Sequence, residues 1–266
     1  MFKVPYALLL RPLFILALVS GRELRIGTVT DVHIGENCAG ELTVESCPPM
    51  AALEMTFKKM NELDLDGVFI TGDLTSSALM EVSSFVIKYG TQSCRDLIIL
   101  YFHLYLCPIS QEYQALRDLL DSTLHIPWWP LLGNHDVWPY TKHEDGSFNQ
   151  TDTPVGDKYF AEIFQDVLTQ DFDSPESALA KMYENISVSG WPTTDCVNGF
   201  YETYTSWFHN FKVNFPNYTS LAFLALDWNA RGAALPEPGV GPEAELHDFD
   251  CGTLPWLDNQ VALFSR

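Results

Sequence analysis

Three short β-rich runs, each closing on an acidic or glycine corner and separated from the next by a helical pattern, constrain this chain most. Leu24 to Thr30 ends at Asp31, Gly67 to Thr71 ends at Gly72-Asp73, and Pro130 to Leu132 leads into Gly133. Between the first two runs, Leu53, Phe57 and Met60 recur at i, i+4 and i+7, one face of an amphipathic helix. Tyr113, Leu116, Leu119 and Leu120 make a second such face, and Phe160, Ile163, Phe164 and Val167 a third. Leu221 to Leu226 reads as a further buried strand, ending at Asp227. Strands alternating with helices predict an α/β architecture with a layered sheet. Ligands of such folds gather in the crevice beyond the carboxyl ends of the strands, where these acidic corners fall. The stretch from about 141 to 217, rich in Pro, Asn, Asp and aromatics, reads as a surface insertion that forms a rim over that crevice.

At 266 residues the chain is long enough for one large domain of this kind, or one domain plus a small appendage. Its net charge of -20 argues against nucleic acid as a partner, because proteins that bind it neutralise phosphates with clustered Lys and Arg. The charge leaves phosphate chemistry open, since bound divalent cations reverse the local sign of a site. The first 21 residues read as a signal peptide: Lys3 and Arg11, an apolar core from Leu13 to Val19, then Ser20 and Gly21 at the cleavage position. Arg11, Pro5 and Pro12 interrupt the apolar run, so no stable membrane span is expected there. Six cysteines without CxxC spacing predict disulfides in an oxidising compartment, with Cys38 and Cys47 the expected local bridge. Asn149, Asn185 and Asn217 each open an N-glycosylation sequon. The expected location is secreted or lysosomal.

The corners carry chemistry of one kind: Asp31-Val32-His33, Gly72-Asp73 and Gly133-Asn134-His135-Asp136. A carboxylate and an imidazole two residues apart, just past a strand, can converge on one cation. An Asp at the end of the neighbouring strand can bridge two cations through its two oxygens, and an Asn carbonyl adds a neutral ligand to the second. Such mixed nitrogen and oxygen ligation suits Zn, Mn or Fe rather than Ca. Gly72 and Gly133 permit the sharp reversal and close backbone approach that a ligand at a strand end requires. Taken singly, each of these residues reads equally well as a turn, a cap or a surface histidine. Their order, each after a strand, is what points to a site.

This order of motifs resembles the calcineurin-like metallophosphoesterase family, over most of residues 24–136 with an echo at Phe223 to Asp227. The resemblance implies a layered β-sheet sandwich flanked by helices. It implies two divalent ions, with Asp31 and His33 on the first, Asp73 bridging both and Asn134 on the second. His135 would protonate the leaving group, and Asp136 would orient His135. The reaction implied is hydrolysis of a phosphate monoester or diester by a metal-bound hydroxide, on a small-molecule or lipid substrate. The signal-like start and the aromatic, sequon-bearing middle look like a secreted branch similar to acid sphingomyelinase-like enzymes.

The chain also departs from the family pattern. A later His and a Gly-His-x-His motif are missing, so the domain is expected to be incomplete at its C-terminus and weak or inactive. The rival expectation is a catalytically dead secreted binding protein on the same fold. The polar and then apolar block 82–111 reads as a non-native insert, the translation of an unspliced intron. Without it, Ala78 to Glu81 would run into Glu112 to Ala115 as one helix, with Leu79 on the face of Tyr113, Leu116 and Leu120. Residues 261–266 fit the same origin. His125, His143 and His209 lack partners at useful spacing, His103 lies in an apolar run, the His247-Asp248-Phe249-Asp250 run resembles a metal cluster but reads better as an acidic surface loop, and the tryptophans are expected in the core or along the cleft.

Overall fold

A computed structural model describes residues 23–38, 42–76, 80–81, 108–138, 140–142, 148–150, 156–189, 209–215, 222–229 and 252–264. The strands are β1 (Ile26–Thr30), β2 (Gly67–Thr71), β3 (Met80–Glu81), β4 (Trp128–Leu131), β5 (Tyr140–Lys142), β6 (Phe148–Gln150), β7 (Ser187–Ser189), β8 (Phe211–Asn214) and β9 (Ala222–Ala225). The helices are α1 (Pro48–Met60), α2 (Pro108–Thr123), α3 (Asn134–Val137), α4 (Gly156–Thr169), α5 (Ala178–Met182) and α6 (Thr253–Phe264).

The parallel sheet β1-β2-β4 is the frame of the molecule. Strand β2 lies in the middle and is buried along almost its whole length, as its unbroken apolar run requires of a strand covered on both faces. On one side lie α1, burying Met50, Leu53 and Phe57, and α2, burying Tyr113, Leu116, Leu119 and Leu120. Helix α1 opens on Pro48, where the missing N–H costs nothing, and ends on Lys58 and Lys59, which suit the negative end of the helix dipole. Just before it, Cys47 is bonded to Cys38, the bridge expected from spacing.

A second sheet, antiparallel β7-β8-β9, packs on the opposite face. Rings carry that contact: Phe69 lies 5.1 Å from Trp129 and 5.4 Å from Phe223, and Phe215 lies 5.8 Å from each of Trp129 and Phe223. Gly67 is required here, since a Cβ would fall 2.5 Å from the Trp129 ring. Two sheets face to face with helices outside are the mixed α/β sandwich expected. A third small sheet, β3-β5-β6, completes the strands.

One expectation changes: the stretch 141–217 is not a surface rim alone, because α4 sends Phe160, Phe164 and Val167 into the core and β8 sends Phe211 and Val213. The continuous helix through Ala78–Glu81 was expected only of a chain without the block 82–111; in the intact chain Met80–Glu81 is a strand paired with β5, and α2 begins at Pro108, inside that block. Leu79 and the rest of that block lie outside the described residues, as do the signal-like start, Asn217 and the cysteines other than Cys38 and Cys47. Trp128, Trp129 and Trp138 are core residues rather than cleft lining. Among the described residues, no helix is long and apolar enough to cross a membrane.

Candidate metal centre

All three predicted corners meet at the carboxyl ends of β1, β2 and β4. The Asp31 N–H donates to the Gly72 carbonyl, the His33 N–H to the Asp73 carbonyl at 2.9 Å, and the Gly72 N–H to the Leu131 carbonyl at 3.0 Å. The sheet's ladder thus continues into the loops, with Ile34 pairing Thr75 beyond them.

The backbone bends sharply to do this. Asp31, His33 and Asp73 have φ of 53°, 44° and 45°, and Gly72 has 70°. Left-handed backbone costs an L residue about 1–2 kcal/mol, and such strain clusters at functional sites. The result is a convergent set: a carboxylate oxygen of Asp31, a ring nitrogen of His33 and a carboxylate oxygen of Asp73 lie within 4.8 Å of one another.

His33 Nε2 and Asp73 Oδ2 stand 3.7 Å apart. That is too long for a hydrogen bond. It matches two ligands on one ion, each at about 2.0–2.2 Å. The donor set fits a divalent transition metal on geometry and chemistry alike. Thr30 Oγ1 reaches both Asp31 Oδ2 and the Thr71 carbonyl, fixing the Asp31 carboxylate from the strand end.

The other oxygen of Asp73 points the opposite way, accepting the His135 N–H at 3.1 Å. A Cβ on Gly133 would lie 2.0 Å from the Asp73 nitrogen, so only glycine lets the third corner close on the second. Asn134 stands between these two contacts, at the start of α3. The His135 ring is edge-on to His33, centroids 5.0 Å apart.

Asp136, expected to orient His135, bonds across the loops. Its carboxylate accepts the N–H groups of Gly133 (2.7 Å), Leu74 (2.9 Å) and Thr75 (2.8 Å), and the Thr75 hydroxyl. Tyr113 Oη donates to its carbonyl at 3.0 Å. Asp136 thereby ties the loop it shares with His135 to the Leu74–Thr75 turn. Burial pushes its carboxyl up to about 7, against the pull of the three backbone N–H groups, and the charge of Asp73 adds to the rise.

Other histidines stay apart. His125 is exposed, while His209 is buried with Nε2 2.9 Å from the Asp157 carbonyl. His103, His143 and His247 lie outside the described residues. Among the described residues, Asp31, His33 and Asp73 are the one group of three or more His, Cys, Asp or Glu side chains close enough to share an ion. Sequence reasoning missed Thr30, whose hydroxyl carries no spacing signal.

The calcineurin-like phosphoesterase family model matches residues 24–238, most of the chain and all three corners. A comparison with curated proteins finds no match.

Proposed function

The chain belongs to the calcineurin-like phosphoesterase family, and from that premise we propose that it hydrolyses a phosphate monoester or diester with a divalent metal held by Asp31, His33 and Asp73. The single observation behind this is the convergence of those three side chains at strained strand ends. Bound Zn, Mn or Fe would supply positive charge to the phosphoryl oxygens and acidify water. Asp73 has its second oxygen turned to the Asn134 loop, which suits a bridge toward a second ion ligated by Asn134. His135 is the proton donor to the departing alcohol, supported by its position beside His33. Asp136 holds its loop rigid so that the proton is delivered at a fixed distance.

Turnover is expected to be weak. Among the described residues, Asp73 and Asn134 are the ligands proposed for a second ion, a thin set, since affinity follows ligand count and outer-shell support. Secretion is part of the reading. The Cys38–Cys47 bridge and the exposed turn position of Asn185 in its sequon support an oxidising, glycosylating compartment.

The test is metal content after loading with Mn(II) or Zn(II) and desalting, alongside turnover of bis(p-nitrophenyl) phosphate. About one ion per chain is expected, lost in Asp73→Ala, with slow metal-dependent turnover. Two tight ions and fast turnover would overturn the expectation of weakness. Metal content indifferent to Asp73→Ala would leave the fold as a scaffold for binding.

A further inference from the structure

The loop that carries Asn134 and His135 is held from two directions. From the helix side, Asp136 and Tyr113 fix it, as described above. From the loop after β9 a side chain reaches across: Asn229 Nδ2 donates to the Leu132 carbonyl at 3.0 Å, bridging 97 residues of sequence. Leu132 directly precedes Gly133, the residue closed against Asp73.

Asn229 is itself held. Asp227 Oδ1 accepts both its side-chain amide (3.1 Å) and its backbone N–H (3.2 Å). One amide nitrogen thus spends its two hydrogens on two acceptors, which fixes the rotation of the group. Asp227, only 3% exposed, is pinned in turn. Its second oxygen accepts the His209 N–H, its own N–H donates to Asn210 Oδ1, and its carbonyl accepts the Thr253 hydroxyl. This buried polar cluster ties β8, the end of β9 and the start of α6 to the rim of the metal centre. Buried polar groups that satisfy one another in this way specify one arrangement of the backbone.

We infer that Asn229 is a positioning residue, oriented by Asp227, that sets the Leu132–His135 loop and through it the placement of Asn134 at the metal centre. The inference rests on the ligand role proposed for Asn134. Leu132 offers an acceptor, so the bridge needs a donor at 229. Serine there can still bond Asp227 locally but is too short to reach the Leu132 carbonyl, and alanine loses both contacts.

The experiment uses the full chain with Asn229→Ala and Asn229→Ser, each also made in an Asn134→Ala background. Two quantities are read. The first, independent of metal, is the amide resonance of His135, whose N–H bonds Asp73. The second is affinity for the second, weaker Mn(II) ion, by titration well beyond the first equivalent. Expected are a displaced His135 amide in both variants and second-ion binding about tenfold weaker, the scale of an outer-shell loss. In the Asn134→Ala background the same substitutions should change affinity less than about twofold, since residues acting through one another are not additive.

An unmoved His135 amide overturns the inference, as does an equal loss of affinity in both backgrounds. Unfolding of both variants would make Asn229 a residue of general stability and also overturn it. If the unaltered chain binds no Mn(II), the proposed hydrolase function fails instead, and the His135 amide alone decides the role of Asn229.

Discussion

Asp31 holds its ligand position at a cost. With φ at 53° it sits where any β-carbon is crowded, and only its contacts with Thr30 and Gly72 offset this. Glycine removes the crowding and alanine keeps it. In chelator, Asp31→Gly should therefore be about 1 kcal/mol more stable than Asp31→Ala by urea unfolding, the scale of a left-handed alanine. In excess Mn(II), the wild-type melting temperature should rise and neither variant's should, because only a ligand bound to the native state shifts the equilibrium. Equal stability of the two variants would mean that the backbone here is relaxed. At this scale the sequence was informative wherever a residue acts on its neighbours: Asp31, His33 and Asp73 each follow a strand within three residues, and the structure brings them together. It was silent on Asn229 and on the backbone partners of Asp136. Those side chains bond to backbone groups about 60 to 100 residues away, and no local pattern encodes such a bond.

Between elements, the strongest polar tie joins α2 to α4. Arg117 makes a bidentate pair with Asp166 at 2.7 and 2.8 Å, bonds Asp121 at 2.7 Å and the Ile163 carbonyl at 3.0 Å, and lies over the Trp128 ring. The guanidinium is nearly buried, but Asp166 and Asp121 are 35% and 40% exposed, so water screens part of the attraction. Arg117→Ala should cost about 2 kcal/mol, below the 3–5 kcal/mol of a fully buried pair. Arg117→Lys should recover less than half of that, because lysine has neither the fork nor the flat face. Full recovery in denaturant titrations would reduce the tie to simple charge. A quieter tie guards the edge of the sheet. Tyr183 Oη accepts the Trp128 N–H at 2.9 Å and donates to the Trp128 carbonyl, so β4 presents one fewer open pair to another chain. The helical faces that carry these ties were legible from their spacing, since Tyr113, Leu116 and Leu120 and also Phe160 and Phe164 are all buried. The tie through Arg117 was not, as surface and buried arginines look alike in sequence.

Across the whole molecule, the two-sheet sandwich turns on Trp129. Its ring is fully buried between Phe69, Phe215 and Tyr183, yet its Nε1 finds no hydrogen-bond partner among the described residues. Alternation of strands and helices predicted a layered sheet, and β1, β2 and β9 fell within or close to the expected runs. Strands β7 and β8 were not anticipated. They are only three and four residues long, sit in a polar and aromatic stretch, and exist through pairing, β7 with β8 and β8 with β9. Their stability is therefore borrowed from the face where Trp129 packs. The ring is large and its N–H has no partner among the described residues, so two effects oppose each other in Trp129→Phe. The smaller ring leaves space worth about 1–2 kcal/mol at about 24 cal/mol per Å³. Removing a buried, unbonded N–H returns about 1–3 kcal/mol. Trp129→Phe should thus unfold within about 1 kcal/mol of the wild type, whereas Trp129→Ala should lose about 3–5 kcal/mol. Since β8 and β9 lead into the Asp227–Asn229 cluster, Trp129→Ala should also weaken Mn(II) binding, and Trp129→Phe should leave it unchanged. A phenylalanine variant as unstable as the alanine one would mean that the indole N–H is bonded after all, and that the sandwich depends on that bond rather than on the ring.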